Sequence, residues 1–336
     1  MMAGFVHHNL TQPLPEPQRG GVIAIGNFDG VHRGHQVVLH AARRQAEELQ
    51  KPWYTLSFEP HPRTLFKPQS PVFRLTDENM KARVLCALGA DGLLTLPFDK
   101  PLAATSAEQF VEDYLLERAG ASHIVSGFNF HFGKGREGSP EFMRNAGTRH
   151  QFGVTIVEAQ TDQFLGEIIS SSRIRRLLGN GEVANAAKLL GYHWVVSGEV
   201  VKGAQLGRTL GYPTANLVLA DNCRLAHGIY AARLRRADGK LFNGVASYGR
   251  RPTFDNGPAW LETFVFDFDD DLYGEVVEVG LFAYLRGEEK FDSADALIAQ
   301  MDADSDHARK IMGEISPISP LDQTLNFDGL QSPEAS

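Results

Sequence analysis

The feature that most restricts the fold is a change of pattern near residue 190. From Gly21 to about Gly191, short β-type runs alternate with longer helical ones. VIAIG precedes GHQVVLHAARRQAEELQ, WYTLSF precedes TDENMKARVLCALG, and GLLTLPF precedes SAEQFVEDYLLERAG. HIVSG leads into a glycine-rich loop, and GVTIVEA completes the series. Crossovers of this length join parallel strands, so this half predicts a mostly parallel sheet covered by helices. Two short helices are expected next, over SSRIRRLLGNG and GEVANAAKLLG. After Tyr192 the runs WVVSGEVV, GIYAARLRR, LFNGVASYG, LETFVFDF and EVVEVGLFAYLR follow one another with turns and no crossover helix. That grammar predicts an antiparallel barrel or sandwich, closed by a helix near SADALIAQMDADSDHARKIMG.

The expected division is a leader over 1–20, an α/β domain over 21–190 and a β-rich domain over 191–314. The remainder, 315–336, is rich in Pro and Ser and is expected to be a loose tail. An apolar fraction of 43% and a charged fraction of 22% suit a globular chain of this length. The formal charge of −8 opposes a broad nucleic-acid surface but leaves room for a small basic pocket. Cys86 and Cys223 lie far apart without metal-ligand spacing, which suits a reducing cytoplasm. No apolar stretch is long enough to span a membrane, and the first residues lack the order of a secretion signal. His7-His8 reads as part of the polar leader.

Chemistry concentrates first in GNFDGVHRGH, residues 26–35. A phosphate site needs amides at a helix start, small residues for close approach and nearby positive charge. Gly26, Gly30 and Gly34 supply the room, and His32 and His35 could both face an oxygen-rich ligand. On spacing alone, a tight loop with one capping histidine and one exposed histidine fits equally well. The stretch is neither a P-loop nor GxGxxG, and two histidines lack the further ligands of a zinc site. ISSSRIRRLL, residues 169–178, adds hydroxyls before a helix bearing Arg173, Arg175 and Arg176. Alone, it reads sooner as an N-cap followed by a solvated basic face than as a phosphate grip.

HRGH together with ISSSRIR resembles the paired signature of the HxGH nucleotidylyltransferase superfamily. The wider set GNFDGVHRGH, FEPHP, GFNFHFGKGREG and ISSSRIR resembles the adenylyltransferase half of the bacterial bifunctional riboflavin kinase/FMN adenylyltransferases. The resemblance implies a Rossmann-like parallel-sheet domain in which His32 and His35 contact ATP phosphates. Gly26, Asn27, Phe28, Asp29 and Gly34 would shape that site, and Ser171, Ser172 and Arg175 would form a second phosphate-binding motif. Phe58, Pro60, His61 and Pro62 belong to a loop associated with the flavin and phosphate region. Asn129 stands where many members have aspartate, and an amide there can still hydrogen-bond a ligand. FMN's phosphate has a second pKa of about 6, so near neutrality it is already a nucleophile. Positioning and charge compensation, rather than a general base, are then what adenylyl transfer requires.

The second concentration is VVKGAQLGRTLGYPTANLVL, residues 200–219. Gly203, Gly207 and Gly211 make a segment able to fold over a polyphosphate, and Lys202 and Arg208 add charge. Thr214 and Asn216 alternate at a strand start and so face one side, as hard oxygen ligands suited to Mg²⁺. A turn fixed by Pro213 is the plainer reading. GVASYGRRPTFD brings another glycine-bearing loop with Arg251. WLETFVFDFDDDLYG then places Glu262, Phe264 and Phe266 on one side of a strand. Asp269, Asp270 and Asp271 read as a solvated turn.

GRTLGYPTAN, GVASYGRRPTF, LETFVFDFDDDLYG and YLRGEEKF are similar to the riboflavin kinase half of the same bifunctional family. That implies a six-stranded antiparallel β-barrel with a terminal helix, in which Thr214 and Asn216 organise Mg²⁺ and ATP. Glu262 would be the base for the ribityl 5′-hydroxyl, which is a poor nucleophile until its proton is removed. The expected substrates are riboflavin, FMN and ATP, with FAD as the final product. The expected assembly is a cytoplasmic monomer or weak homo-oligomer with neither nucleic-acid nor membrane partners. Asn129 keeps open a monofunctional riboflavin kinase with an inactive adenylyltransferase-like half. A flavin-responsive regulatory module would bind without turnover, and the carboxylate Glu262 in a kinase-like site argues against it.

Overall fold

The alternating half forms a parallel sheet whose strand order reverses at its middle. The computed structural model describes residues 4–158, 168–203, 206–250 and 259–329. The first sheet contains β1 (Val6–Asn9), β2 (Val22–Ile25), β3 (Trp53–Glu59), β4 (Gly92–Pro97), β5 (His123–Gly127) and β6 (Gly153–Val157). Its order is β1-β4-β3-β2-β5-β6, with every neighbouring pair parallel. The chain runs from β2 through β3 to β4 on one side, then returns to β5 and β6 on the other. The carboxyl end of β2 is therefore the switch point, where open α/β sheets form their ligand crevices. Residue 26 begins there.

The helix Arg33–Leu49 leaves that crevice with Val38, Leu39, Ala41, Ala42 and Ala46 on its buried face. Full burial of a valine or leucine side chain contributes about 1.5–3 kcal/mol relative to exposure, which fixes the helix against the sheet. The core below joins Ile23, Ile25, Leu56, Leu94, Leu96 and Ile124 to Phe110, Val111 and Leu115 of the covering helical segment.

The second sheet contains β7 (Val195–Glu199), β8 (Thr214–Val218), β9 (Gly228–Arg235), β10 (Leu241–Gly249), β11 (Trp260–Val265) and β12 (Val276–Arg286). Its order is β7-β12-β9-β10-β11-β8, antiparallel throughout. A bridge between Val201, just beyond β7, and Asn216 of β8 draws the two edges toward each other, so the sheet curls into a near-barrel rather than a sandwich. The 21-residue helix Ala294–Glu314 starts at Ser293, whose hydroxyl accepts from Ala296 N at 3.1 Å. Ala308 and Met312 of this helix pack with Ala231, Phe266 and Phe282 of the barrel.

Three expectations about boundaries change. The leader contributes β1, which pairs Val6–Asn9 with Gly92–Thr95, and Leu10 and Leu14 behind it are buried. A four-residue edge strand containing two histidines carries too little alternation to be read from sequence. The compact units comprise 1–72 with 81–170, and 73–80 with 171–336. The helices Ser171–Gly179 and Val183–Leu190 thus group with the barrel, as does Phe73–Met80. Trp194 donates its indole N–H to Leu75 O at 2.7 Å, and Arg175 Nε donates to Phe73 O at 2.6 Å.

The segment expected to be loose carries helical turns at Pro320–Asp322 and Gln323–Phe327, with Leu325, Asn326 and Phe327 buried. Ser319 caps the first turn by accepting from Asp322 N at 3.0 Å, and Pro320 occupies its first position. Ser followed by Pro is a helix-start signal as well as a loop composition, and here the start signal prevails. Asp322 accepts from His193 N at 2.9 Å and pairs with His193 Nδ1 at 2.8 Å. Asn326 Nδ2 donates to Asp322 Oδ1 at 2.8 Å, so the buried carboxylate is enclosed by partners.

Candidate active sites

The loop leaving β2 is built on an unusual backbone. Phe28, Gly30 and Val31 have φ values of +46°, +78° and +38°. Positive φ costs a non-glycine residue about 1–3 kcal/mol, so surrounding contacts must impose it. Phe28 and Val31 are fully buried, and Asp29 is buried beside them. Below the loop, Ser57 Oγ donates to Asn27 O at 3.1 Å. The Lys81 ammonium donates to the same carbonyl at 3.0 Å and to Ser57 Oγ at 2.7 Å.

His32 caps the helix Arg33–Leu49, with Nδ1 accepting from His35 N at 3.3 Å. An accepting Nδ1 carries no proton, so a neutral ring has its N–H on Nε2. The His32 and His35 rings stack with centroids 3.6 Å apart, and Phe28 meets His35 edge-on at 5.5 Å. Burial, then the neighbouring His32 and Lys81, hold the His35 pKa well below the ordinary imidazole value. A Cβ on Gly34 would lie 3.2 Å from His32 Nδ1 and 3.4 Å from Ile169 O. Glycine therefore lets the capping ring and the segment entering ISSSR share one place. On Gly26 a Cβ would press the Phe28 ring at 3.1 Å. Among the described residues, Asn27 Oδ1 and His35 Nδ1 are buried without a hydrogen-bond partner.

The remaining residues expected in this half separate by environment. Phe58 is buried among Phe98, Phe110 and Phe130, so it supports the region from within the core. Pro60 follows a cis peptide bond. His61 caps the short helix Pro62–Phe66 by accepting from Arg63 N at 3.2 Å. Asn129 is exposed. Ser171 begins the helix Ser171–Gly179, with Ser172 and Arg175 following in the second unit.

In the barrel, strand register assembles a site. Asn216 of β8 lies opposite Glu262 of β11, which lies opposite Ser247 of β10, which lies opposite Ile229 of β9. Two residues along, Thr214, Phe264, Val245 and Ala231 form the adjacent row. Facing residues on neighbouring strands share one side of the sheet. The polar row thus lies directly beside an apolar one. Thr214 Oγ1 donates to Asn216 Oδ1 at 3.1 Å.

Thr214, Ile229, Val245, Ser247, Glu262 and Phe264 of these rows border a cavity of about 380 Å³ that also touches Tyr212, Arg286, Leu297, Met301 and Asp304. This volume lies within the ordinary range for small-molecule pockets. Register shifts in β12 between Leu281 and Ala283, and again between Tyr284 and Arg286, precede Arg286. Such bulges re-aim side chains. Asp304 engages the Arg286 guanidinium at 2.7–3.1 Å and holds its pKa above the usual value. Tyr212 hydrogen-bonds Asp302 and packs on Phe264 at 4.7 Å. Burial and Asp302 push its hydroxyl pKa up to about 12.

A Cβ on Gly207 would meet Tyr212 O at 2.4 Å, so glycine is required for that close turn. Gly211 has φ +86°. Lys202 is exposed, with its ammonium 5.7 Å over the Tyr273 ring. The Arg208 side chain and Arg251 lie outside the described residues. Sequence reasoning omitted Lys81, Ser247, Arg286 and Asp304. GVASYG and YLRGEEKF contain Ser247 and Arg286, whereas Lys81 reads as an ordinary polar helix residue.

A histidine-capped helix at a parallel-sheet switch point and a carboxylate-bearing barrel pocket are the two candidate sites, and the family matches make the chain a transferase. A family model described as FAD synthetase matches residues 14–173, and one described as riboflavin kinase matches 190–312. The bifunctional riboflavin kinase/FMN adenylyltransferase of Escherichia coli K12 is 38% identical over 310 residues, covering 92% of this chain and 97% of that protein. The corresponding Pseudomonas fluorescens protein is 38% identical over 305 residues, covering 90% and 96%. A crystal structure described as a macrolide-efflux protein from Streptococcus pneumoniae matches with a TM-score of 0.79 and 31% identity, covering 93% of this chain and all of that one. Among the described residues here, no helix is long and apolar enough to cross a membrane. The chain belongs to the bifunctional riboflavin kinase/FMN adenylyltransferase family. Both domains of that family are present, which favours the bifunctional over the monofunctional reading.

Proposed function

We propose that the chain converts riboflavin to FAD in two ATP-dependent steps, with Glu262 and the His32–His35 pair at separate sites. The observation carrying this reading is the presence of two independently constructed constellations, each within its own family segment. In the barrel, Glu262 accepts the proton of the ribityl 5′-hydroxyl as its oxygen bonds to the γ-phosphorus of ATP. The bridging bond breaks, yielding FMN and ADP. Ile229, Val245, Phe264, Leu297 and Met301 offer an apolar wall for the flat flavin ring. Thr214 and Asn216 fit a hard cation because their side-chain oxygens lie 3.1 Å apart, with Thr214 lining the pocket. They would hold Mg²⁺ there, where the ion would neutralise charge on the ATP phosphates.

In the parallel-sheet unit, the FMN phosphate attacks the α-phosphorus of ATP, forming FAD and releasing pyrophosphate. His32 supplies an Nε2–H donor, and neutral His35 supplies a second N–H as charge moves to the leaving group. Ser171, Ser172 and Arg175, at the start of the second unit, are proposed as the second phosphate-binding motif that the family resemblance assigns to ISSSRIR. We place the reactions in a reducing compartment such as the cytoplasm, in keeping with the free thiols Cys86 and Cys223. Small molecules are its proposed partners, and the proposed assembly is a monomer or weak homo-oligomer.

Chromatographic separation of flavins after incubation with ATP and Mg²⁺ tests the proposal. Riboflavin is expected to yield FMN and then FAD, and supplied FMN to yield FAD. FMN as the sole product from riboflavin, with supplied FMN unchanged, would overturn the adenylyltransferase assignment. Conversion of FMN but not riboflavin would overturn the kinase assignment.

A further inference from the structure

Lys81 is a fully buried cation beneath the histidine loop, and the transfer steps above give it no role. Its ammonium and the Ser57 hydroxyl converge on one acceptor, the Asn27 carbonyl. Asn27 immediately precedes the Phe28–Val31 backbone, which leads into the capping His32. A lysine with only a packing role keeps its head in water, whereas this one loses hydration to reach the root of a strained turn.

We propose that Lys81 is a positioning residue for adenylyl transfer, fixing the Asn27 carbonyl and thereby the turn that presents His32 and His35. The proposal rests on the adenylyltransferase reading of that loop. Its second effect is electrostatic. His32, Lys81 and the Phe28 edge surround the His35 ring, and the two basic neighbours favour its neutral form. A neutral His35 retains one N–H donor without adding a second mobile proton to the site.

The test uses the full chain with Lys81→Met, which retains most of the stem volume and removes the charge. The expected result is about a hundredfold lower kcat for FMN adenylylation, the scale associated with displacement of a catalytic group by about 1 Å. KM for ATP and FMN should stay within about threefold, and riboflavin phosphorylation within about twofold. In histidine-labelled protein, the NMR titration midpoint of His35 should rise toward the ordinary imidazole value. Ser57→Ala leaves Lys81 intact but removes one partner, so a fall in adenylylation of about threefold to tenfold is expected. This second variant retains the test if Lys81→Met does not fold.

FAD formation at the wild-type rate, with an unchanged His35 midpoint in a folded Lys81 variant, would overturn the positioning role. Equal losses of both reactions would also overturn it, by identifying general destabilisation. If wild-type protein makes no FAD from FMN, the adenylyltransferase reading fails instead.

Discussion

The histidine loop and the barrel pocket solve the problem of presenting phosphate-handling groups in opposite ways. The loop gathers its principal groups between residues 26 and 35, with a capped helix setting their direction. The pocket draws residues from 207 to 304 and relies on strand register to bring them together. A local site inherits its accuracy from a few backbone dihedrals; a distributed site inherits it from the whole sheet. Damage should therefore propagate differently in the two units.

The largest separation is expected from Glu262→Gln. Replacing the base should lower riboflavin phosphorylation by about 10²–10⁴-fold while FMN adenylylation persists, as measured by parallel flavin chromatography. Adenylylation falling equally would break the two-site comparison. His32→Ala should give the reciprocal pattern, with about 10²-fold slower FAD formation and retained kinase turnover. Part of its effect is structural, because cap removal costs about 1 kcal/mol. Comparison with His32→Asn, which retains a capping acceptor, separates the cap from the catalytic contact.

Stability sharpens the same contrast. Asp322→Ala removes the carboxylate buried against His193 and should destabilise the barrel unit by about 3 kcal/mol, read from its denaturant midpoint. Kinase activity should be lost at lower denaturant concentration than adenylylation. The smallest effect is the order of acid sensitivity. His35 has a lowered folded pKa, so below its unfolded value of about 6.5 the unfolded state binds the proton first. Its unit should begin losing stability as pH drops through that region. For Asp322, burial acts upward but the hydrogen bond and charge of His193 prevail, leaving a lowered pKa. That carboxylate contributes fully above the unfolded value of about 4 and loses its contribution as pH falls through the lower folded value. Denaturant midpoints followed separately in the two units from pH 7 to 3 test this order.

The same contrast explains which structural details could be read in advance. Period-two alternation places Glu262 with Phe264 on one side, and Thr214 with Asn216 by the same rule; both relations hold in the sheet. Alternation within a strand leaves the register between strands open, so Ser247 facing Glu262 was beyond reach. The histidine motif was visible because its spacing is local, but the stacked rings and the His32 cap depend on backbone angles. Lys81 had no local signal because its amphipathic helix gives no indication that one polar residue points inward. Ser319-Pro320 carried an ambiguous signal, with loop composition and helix capping written in the same letters.

The Asp322–His193 pair also imposes an order on synthesis. The histidine emerges from the ribosome 129 residues before its carboxylate. At ordinary elongation rates of about 5–20 residues per second, that interval lasts roughly 6–26 s. Throughout it, the opening strand of the barrel lacks the enclosing partner that secures it in the finished protein. The turns over 320–327 thus complete a seam whose other side was made long before.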